Sequence, residues 1–312
     1  MIELKHFRLL RAIARHGTMS GAARELGYTQ PAVTQQIQSL ERTLRTPLVT
    51  RNRTGFRLTD AGELLLRHGA SVLATVSLAQ AEVEAIAGLR AGRVRIACFP
   101  SAAAMLLPRA LGAMTAEHPG VSFTLAETEP PKALEMLRRG ECDIAIVYLY
   151  VTAGSDGPSS LVLEAGEIRT QLLEESVHVA MPKGHPAAAK RWVDLRELRD
   201  ARWIAGCAGC RGNLLEACAA SGFTPDIAFE TDDYVALQGL AAAGLGVALV
   251  PDLMRAAARH EPGLALRRLH PMSVRVVSAV STTALMGVPG VAQTVAALRE
   301  SAAEVDLADI PS

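Results

Sequence analysis

The stretch "GYTQPAVTQQIQSLERTL", Gly27 to Leu44, decides how the chain is read. Thr29 suits an N-cap, because its hydroxyl can accept from an orphan backbone N–H. Pro31 is tolerated in a first helical turn, where no intrahelical N–H bond is lost. Val33, Ile37, Leu40 and Leu44 recur at intervals of four, three and four, which predicts a helix with one apolar stripe. The remaining face carries Gln30, Thr34, Gln35, Gln38 and Glu41, with Gln36 at its margin. A helix that only packs would hold Ala, Leu, Glu and Lys there. Amides and hydroxyls instead donate and accept hydrogen bonds together. A Gln amide matches an adenine edge, and Thr offers a hydroxyl and a methyl to thymine.

Working outward, Leu4, Phe7, Leu10, Ile13 and Ala14 predict a first helix ending near His16-Gly17. Thr18 caps a short second helix, "MSGAAREL", which stops at Gly27. Helix, tight turn and polar-faced helix form a helix-turn-helix, whose second helix enters the DNA major groove. "LVTRNRTGFRLT" (48–59) follows, with extended pieces flanking Asn52–Gly55. Its arginines 51, 53 and 57 suit phosphate or minor-groove contact as a wing, the alternative being a solvated basic loop. Residues 1–58 hold ten Lys/Arg against three Glu, a surplus of seven positive charges. The whole chain is neutral, so the remainder carries seven negative charges. A basic end on an acidic body implies that the first segment alone meets a polyanion.

At 312 residues the chain exceeds one ordinary core and calls for about two or three domains. No apolar run of about 20 residues is present, which argues against a membrane span. Glu3, Lys5, Arg8 and Arg11 interrupt any leader-like start, so a cytoplasmic location is expected. Cysteines 98, 142, 207, 210 and 218 then read as free thiols rather than a disulfide framework.

The ordered pattern "GTMSGAARELGYTQPAVTQQIQSLERTLRTPLVTR…LTDAG" resembles the winged helix-turn-helix of LysR-type transcriptional regulators over about sixty residues. Val49 stands where that family usually has Phe, and Arg53 lies one place earlier than the common wing basic residue. The resemblance implies an operator-binding domain at 1–58, with Thr29, Gln30, Pro31, Thr34, Gln35, Gln36, Arg51 and Arg53 on the DNA.

From Thr59 to Leu89 there is no proline, and Leu65, Gly69, Val72, Val76, Ala79, Val83 and Ile86 alternate by four and three. That seam predicts a long helix paired along its length. Packing on the following domain is the alternative. The resemblance implies dimerisation through this linker (59–91), with a tetramer as the larger assembly. "GLRAGR" (88–93) is expected to be a hinge.

Beyond Gly92, short apolar strands alternate with helices: "VRIACF", "VSFTLAE", "CDIAIVYLY", "SVHVAMP", "ARWIAG", "DIAFE" and "GVALVP". This argues for α/β subdomains. The resemblance implies an effector-binding regulatory domain at 92–312, built like periplasmic solute-binding proteins. Subdomain I would be about 92–160 and 270–312, subdomain II about 161–269, with crossings near 150–170 and 265–275. Ligands in such sheets sit beyond strand ends, against helix N-termini. Ser101 and the adjacent Ala102 amide could hold an anionic group there, although Ser101 can equally serve as an N-cap. Thr128, Glu129, Pro130, Tyr148, Gly206 and Cys207 face the same expected cleft.

"CAGC" (207–210) places two thiols three apart near a helix start, where a helix dipole lowers a thiol's pKa. Pocket lining or packing, a redox pair and a half-site for zinc are the readings. No second CxxC or HxxxH completes a zinc site, so no metal is expected. A cysteine-dependent enzyme is the competing class. No Gly-rich phosphate loop, Ser-His-Asp grouping or paired acid cluster supports it, and no cofactor is expected. The expected function is a DNA-binding regulator answering to a small-molecule effector, with a thiol-based redox sensor at Cys207 and Cys210 as the alternative.

Overall fold

The computed structural model describes residues 1–52, 55–86, 92–152, 162–257 and 261–305. Arg53 and residues 88–91 of the expected hinge lie outside them. α1 (Leu4–His16) ends where Gly17 adopts φ +64° and its N–H returns to Ile13 O at 2.9 Å. α2 (Met19–Leu26) is capped by Thr18, whose Oγ1 accepts from Gly21 N at 3.1 Å. α3 (Gln30–Leu44) starts as its sequence dictates, with Thr29 Oγ1 accepting from Ala32 N and Pro31 in the first turn. β1 (Val49–Asn52) and β2 (Gly55–Leu58) form an antiparallel hairpin. Glu41 Oε1 accepts from Leu48 N and Val49 N at 2.7 and 3.1 Å. It therefore anchors the wing instead of joining the polar face of α3. The domain's core is Leu9, Leu10, Ile13, Val33, Ile37, Leu40, Leu48 and Leu66.

α4 (Asp60–Ile86) is 27 residues long, about 40 Å of helix. Its seam divides. Gly69 is packed so closely on α1 that a Cβ would lie 2.4 Å from the Phe7 ring. Farther along, Val72 and Val83 are exposed. The first part of the stripe thus serves the chain's own domain, while Val72 and Val83 are left open.

The regulatory body follows as β3 (Gly92–Cys98), α5 (Pro100–Met105), α6 (Leu107–Glu117), β4 (Val121–Glu127), α7 (Pro130–Arg138), β5 (Ile144–Thr152) and β6 (Glu167–Pro182). Gly92 and Arg93, expected in the hinge, belong to β3. Then come β7 (Trp192–Asp194), β8 (Arg202–Ala205), α8 (Ala208–Ala220), β9 (Asp226–Glu230), α9 (Tyr234–Ala242), β10 (Ala248–Pro251) and α10 (Asp252–Ala257). The last elements are β11 (Leu264–His270), β12 (Ser273–Thr282), α11 (Thr283–Met286) and α12 (Pro289–Ala303).

One sheet runs β4-β3-β5-β12-β6-β11-β7, with β10 also on β6. β3 pairs parallel with β4 and β5, whereas β12 is antiparallel to both β5 and β6. β8 and β9 form a separate parallel pair. β6 is continuous through both halves, pairing with β12 over Glu167–Ser176 and with β10 and β11 over Val177–Pro182. The first crossing therefore falls inside this strand, later than the expected 150–170. The second lies between β11 and β12, within the expected 265–275. A large apolar core spans both halves, including Ile96, Phe99, Leu106, Ile144, Ile146, Trp203 and Leu298.

Candidate effector cleft and nucleic-acid interface

On α3 the apolar stripe turns inward, with Val33, Ile37 and Leu40 each 1% exposed. This leaves Thr29, Gln30, Pro31 and Gln35 exposed, and Thr34 and Gln36 half-buried. Thr34 Oγ1 donates to Gln30 O at 3.0 Å, so its hydroxyl proton is engaged and its lone pairs and methyl remain to face a base. Arg51 and Arg57 are exposed on the hairpin. Exposed amides and hydroxyls on α3 and exposed guanidinium groups on the hairpin are the two kinds of group that base reading and phosphate contact require.

The regulatory cleft differs from the sequence expectation at its floor. Ser101 and Ala102 are fully buried at the start of α5 and do not open to solvent. Ser101 caps no helix; its Oγ accepts from Arg275 Nη2 at 3.1 Å. The Ser101 hydroxyl is thus taken up by a buried cation, Arg275 of β12, rather than presented to the cleft. Arg275 is itself buried, with Nε donating to Glu175 Oε1 at 2.6 Å. Its guanidinium lies 5.0 Å from the Phe99 ring centre and 4.8 Å from that of Tyr148, within cation–π range. Burial opposes the Arg275 charge, but Glu175 and neighbouring groups outweigh it and hold its pKa raised. Burial lifts the Glu175 carboxyl, while Arg275 and the Leu253 N–H pull it back.

The thiols lie at the head of α8, next to Ala208 and Gly209, which line the cleft. This helix begins at Ala208, before Cys210, because Cys207 is its N-cap and its Sγ accepts from Cys210 N at 3.4 Å. Cys207 Sγ and Cys210 Sγ are 2.8 Å apart. Tyr148 Oη lies 3.1 Å from Cys207 Sγ and donates to Glu129 Oε2 at 2.8 Å. Tyr150 Oη donates to Cys210 Sγ at 3.5 Å. Burial pushes both phenols well up, so they remain protonated. The Cys207 thiol donates to Cys210 and is thereby pushed up, while that bond, helped by Tyr150 and Arg275, brings Cys210 down to about 7. Burial pushes Cys142 and Cys218 up to about 12, in Cys142 against the pull of the Arg95 charge and the Ala97 N–H.

Beside the thiols, a cavity of about 640 Å³ is lined by Glu129, Pro130, Tyr148, Tyr150, Gly209 and Asn213. Of the residues expected at the cleft, Pro130 and Tyr148 line it directly. Gly206 and Cys207 lie behind it at the head of α8. Thr128, half-buried, uses its N–H on Cys98 O at 2.9 Å. Glu129, expected at the cleft from its place after β4, lines the cavity as well, whereas sequence reasoning missed Tyr150, Glu175 and Arg275. For Arg275 a signal exists: one charged residue in the otherwise apolar or small run "SVRVVSAV" asks for a buried partner.

Comparison with known proteins accords with this two-part layout. Residues 4–63 match the bacterial regulatory helix-turn-helix proteins of the lysR family, and residues 87–303 match the LysR substrate binding domain. A probable HTH-type transcriptional regulator, LrrA of Synechococcus elongatus, is 30% identical over 97% of this chain and 99% of its own. Among solved structures, a full-length OxyR variant from Pseudomonas aeruginosa superposes with a TM-score of 0.75 at 22% identity, covering 100% of this chain and 99% of that one. Full-length CbnR in complex with its target DNA gives 0.57 at 22% identity, covering 96% and 100%. With both domains matched in order along nearly the whole length, the chain belongs to the LysR family of transcriptional regulators.

Proposed function

We propose that this regulator acts in the cytoplasm, binding operator DNA as a homodimer or tetramer and reading its signal at the Cys207–Cys210 pair. Domain 1–58 would place Thr29, Gln30, Pro31, Thr34, Gln35 and Gln36 in the major groove, with Arg51 and Arg53 on phosphates. Linker 59–91 would pair the subunits, and 92–312 would sense. The observation carrying the sensing reading is the 2.8 Å separation of the two sulfurs. A disulfide is about 2.05 Å, so bonding requires a shift of less than about 1 Å. A thiolate at Cys210, available near neutral pH, attacks the distal oxygen of a hydroperoxide. The O–O bond breaks, an alcohol or water leaves after taking up a proton, and Cys210 becomes a sulfenic acid. The Cys207 sulfur then displaces that hydroxyl as water, so two thiols are oxidised as one peroxide is reduced.

The test titrates reduced full-length protein with hydrogen peroxide, counting free thiols and measuring binding to promoter fragments selected with the same protein. Loss of two thiols, with altered DNA affinity that Cys210→Ser abolishes, supports the reading. Retention of all five thiols overturns it.

A second reading is a small effector, anionic or aromatic, in the adjoining cavity, favoured by its size and by its mixed lining of Glu129, Pro130, Tyr148 and Tyr150. A thermal-shift screen against small acids and aromatics tests this, since ligand binding raises apparent stability.

A further inference from the structure

α7 touches the cleft at one end and the DNA-binding domain at the other. Its N-cap is Glu129, whose carboxylate accepts the Tyr148 hydroxyl that also lies against Cys207. Buried Ala133, Leu134 and Leu137 fix the helix to the subdomain core. Nine residues carry it about 13 Å. At the far end Arg139 Nη2 lies 3.5 Å from Glu63 Oε1 of α4. Gly140, at φ +63°, turns its carbonyl to Arg11 of α1, whose Nη1 donates at 3.0 Å. Ala70 of α4 packs beside this turn.

This joint is made to part. Gly140 O accepts from Arg95 Nη1 as well, at 2.6 Å, so two guanidinium groups converge on one carbonyl. Arg95 is neutralised by a fork onto Asp143, with Nε and Nη2 at 3.1 and 2.6 Å from the two carboxylate oxygens. Burial and the Arg95 charge hold Arg11 below its ordinary pKa. Cavities of about 280 and 420 Å³, both lined by Arg11 and Arg95, flank the contact. A polar, poorly filled interface holds two domains together without fusing them.

We propose that α7 is the strut through which the cleft controls docking of the DNA-binding domain on its own regulatory domain, with Tyr148–Glu129 at its cleft end and Gly140–Arg11 at its docking end. A change at the Cys207 side of Tyr148 alters the bond to Glu129. The helix is rigid, so a shift at its N-cap reappears at Gly140. The inference rests on the cleft being where the signal is read, and not on which signal it is.

The experiment is amide hydrogen exchange by mass spectrometry on reduced full-length protein, comparing the wild type with Tyr148→Phe, Glu129→Gln, Arg11→Ala and the Tyr148→Phe/Arg11→Ala pair. Tyr148→Phe deletes one hydroxyl, and Glu129→Gln alters the strut end without touching the aromatic packing. Each is expected to speed exchange in residues 4–16 by about fivefold, the lower end of ordinary coupling between sites. Arg11→Ala is expected to speed the same segment, and adding Tyr148→Phe should then change little. Exchange in 4–16 unmoved by both cleft variants overturns the proposal. So do effects of Tyr148→Phe and Arg11→Ala that simply multiply. Neither oxidant nor DNA is present, so this outcome is separate from that of the peroxide titration.

Discussion

Replacing Arg275 by Met isolates the most heavily buried charge in the cleft. The guanidinium is 1% exposed and its partner Glu175 2%, with Nε and Oε1 only 2.6 Å apart. At an effective dielectric of about 20 their gross attraction is about 6 kcal/mol, most of it offset by the cost of taking both ions from water. Met keeps apolar contact with Phe99 and Tyr148 but leaves Glu175 with the Leu253 N–H and no cation in contact. Glu175 then escapes by taking a proton. Relative to an ordinary Glu at about 4.3, holding that proton at pH 7 costs about 4 kcal/mol, and at pH 5 about 1 kcal/mol. The sign follows from linkage. The folded variant keeps a proton that the unfolded chain has released above about pH 4.3, so the variant's stability falls as pH rises. Urea unfolding followed by the fluorescence of Trp203, fully buried in the regulatory core, reads the difference at both pH values. Arg275→Met/Glu175→Leu should recover most of the loss, since well-packed apolar residues replace buried pairs at little or no cost. A loss under about 1 kcal/mol at pH 7, or the same loss at both pH values, would refute the reasoning and mean that Glu175 is already neutral in the native protein.

Three further outcomes are expected. Gln35→Ala should cost about 1–3 kcal/mol of discrimination between operator and random DNA, whereas Arg51→Ala should weaken both and flatten the salt dependence. Gel shifts at several salt concentrations separate the two, and identical behaviour would defeat the assignment of base and phosphate contacts. Val72→Glu with Val76→Glu should lower the dimer fraction in sedimentation, because charge would enter a helix–helix seam. An unchanged dimer would place the contact elsewhere. Alkylation of Cys210 by iodoacetamide should rise about tenfold from pH 6 to pH 8 and then level off, as expected for a thiol near 7. Cys142 and Cys218, pushed up to about 12, should still be gaining reactivity, and a Cys210 profile matching theirs would remove its special status.

The DNA-binding end is legible because its determinants are local. Thr18, Thr29 and Pro31 act within a turn of where they stand, and the four-three-four stripe of α3 needs no knowledge of the rest. The cleft is less so, because its partners are distant in sequence. Arg275 meets Glu175 a hundred residues away and Ser101 at 174, separations that no periodicity encodes. Ser101 was placed by a rule about strand ends that is indifferent to what fills the space, and a buried cation fills it. The early half of β6 escaped notice for another reason. "EIRTQLLEES" is charged and lacks the apolar run of "SVHVAMP", yet it is held in the sheet by backbone bonds to β12. Glu41 illustrates the same limit on a smaller scale, since its place on the helix face did not disclose the two wing amides it serves.

β6 has a mechanical consequence. A receptor made of two lobes on flexible links can shut around its ligand, and binding is then read as a change in the angle between lobes. Here a single strand of 16 residues is stitched by main-chain bonds to β12 in one lobe and to β10 and β11 in the other. Large closure would have to tear or bend that ladder. The two lobes are therefore joined by one continuous ladder, and any motion between them has to bend or twist that strand.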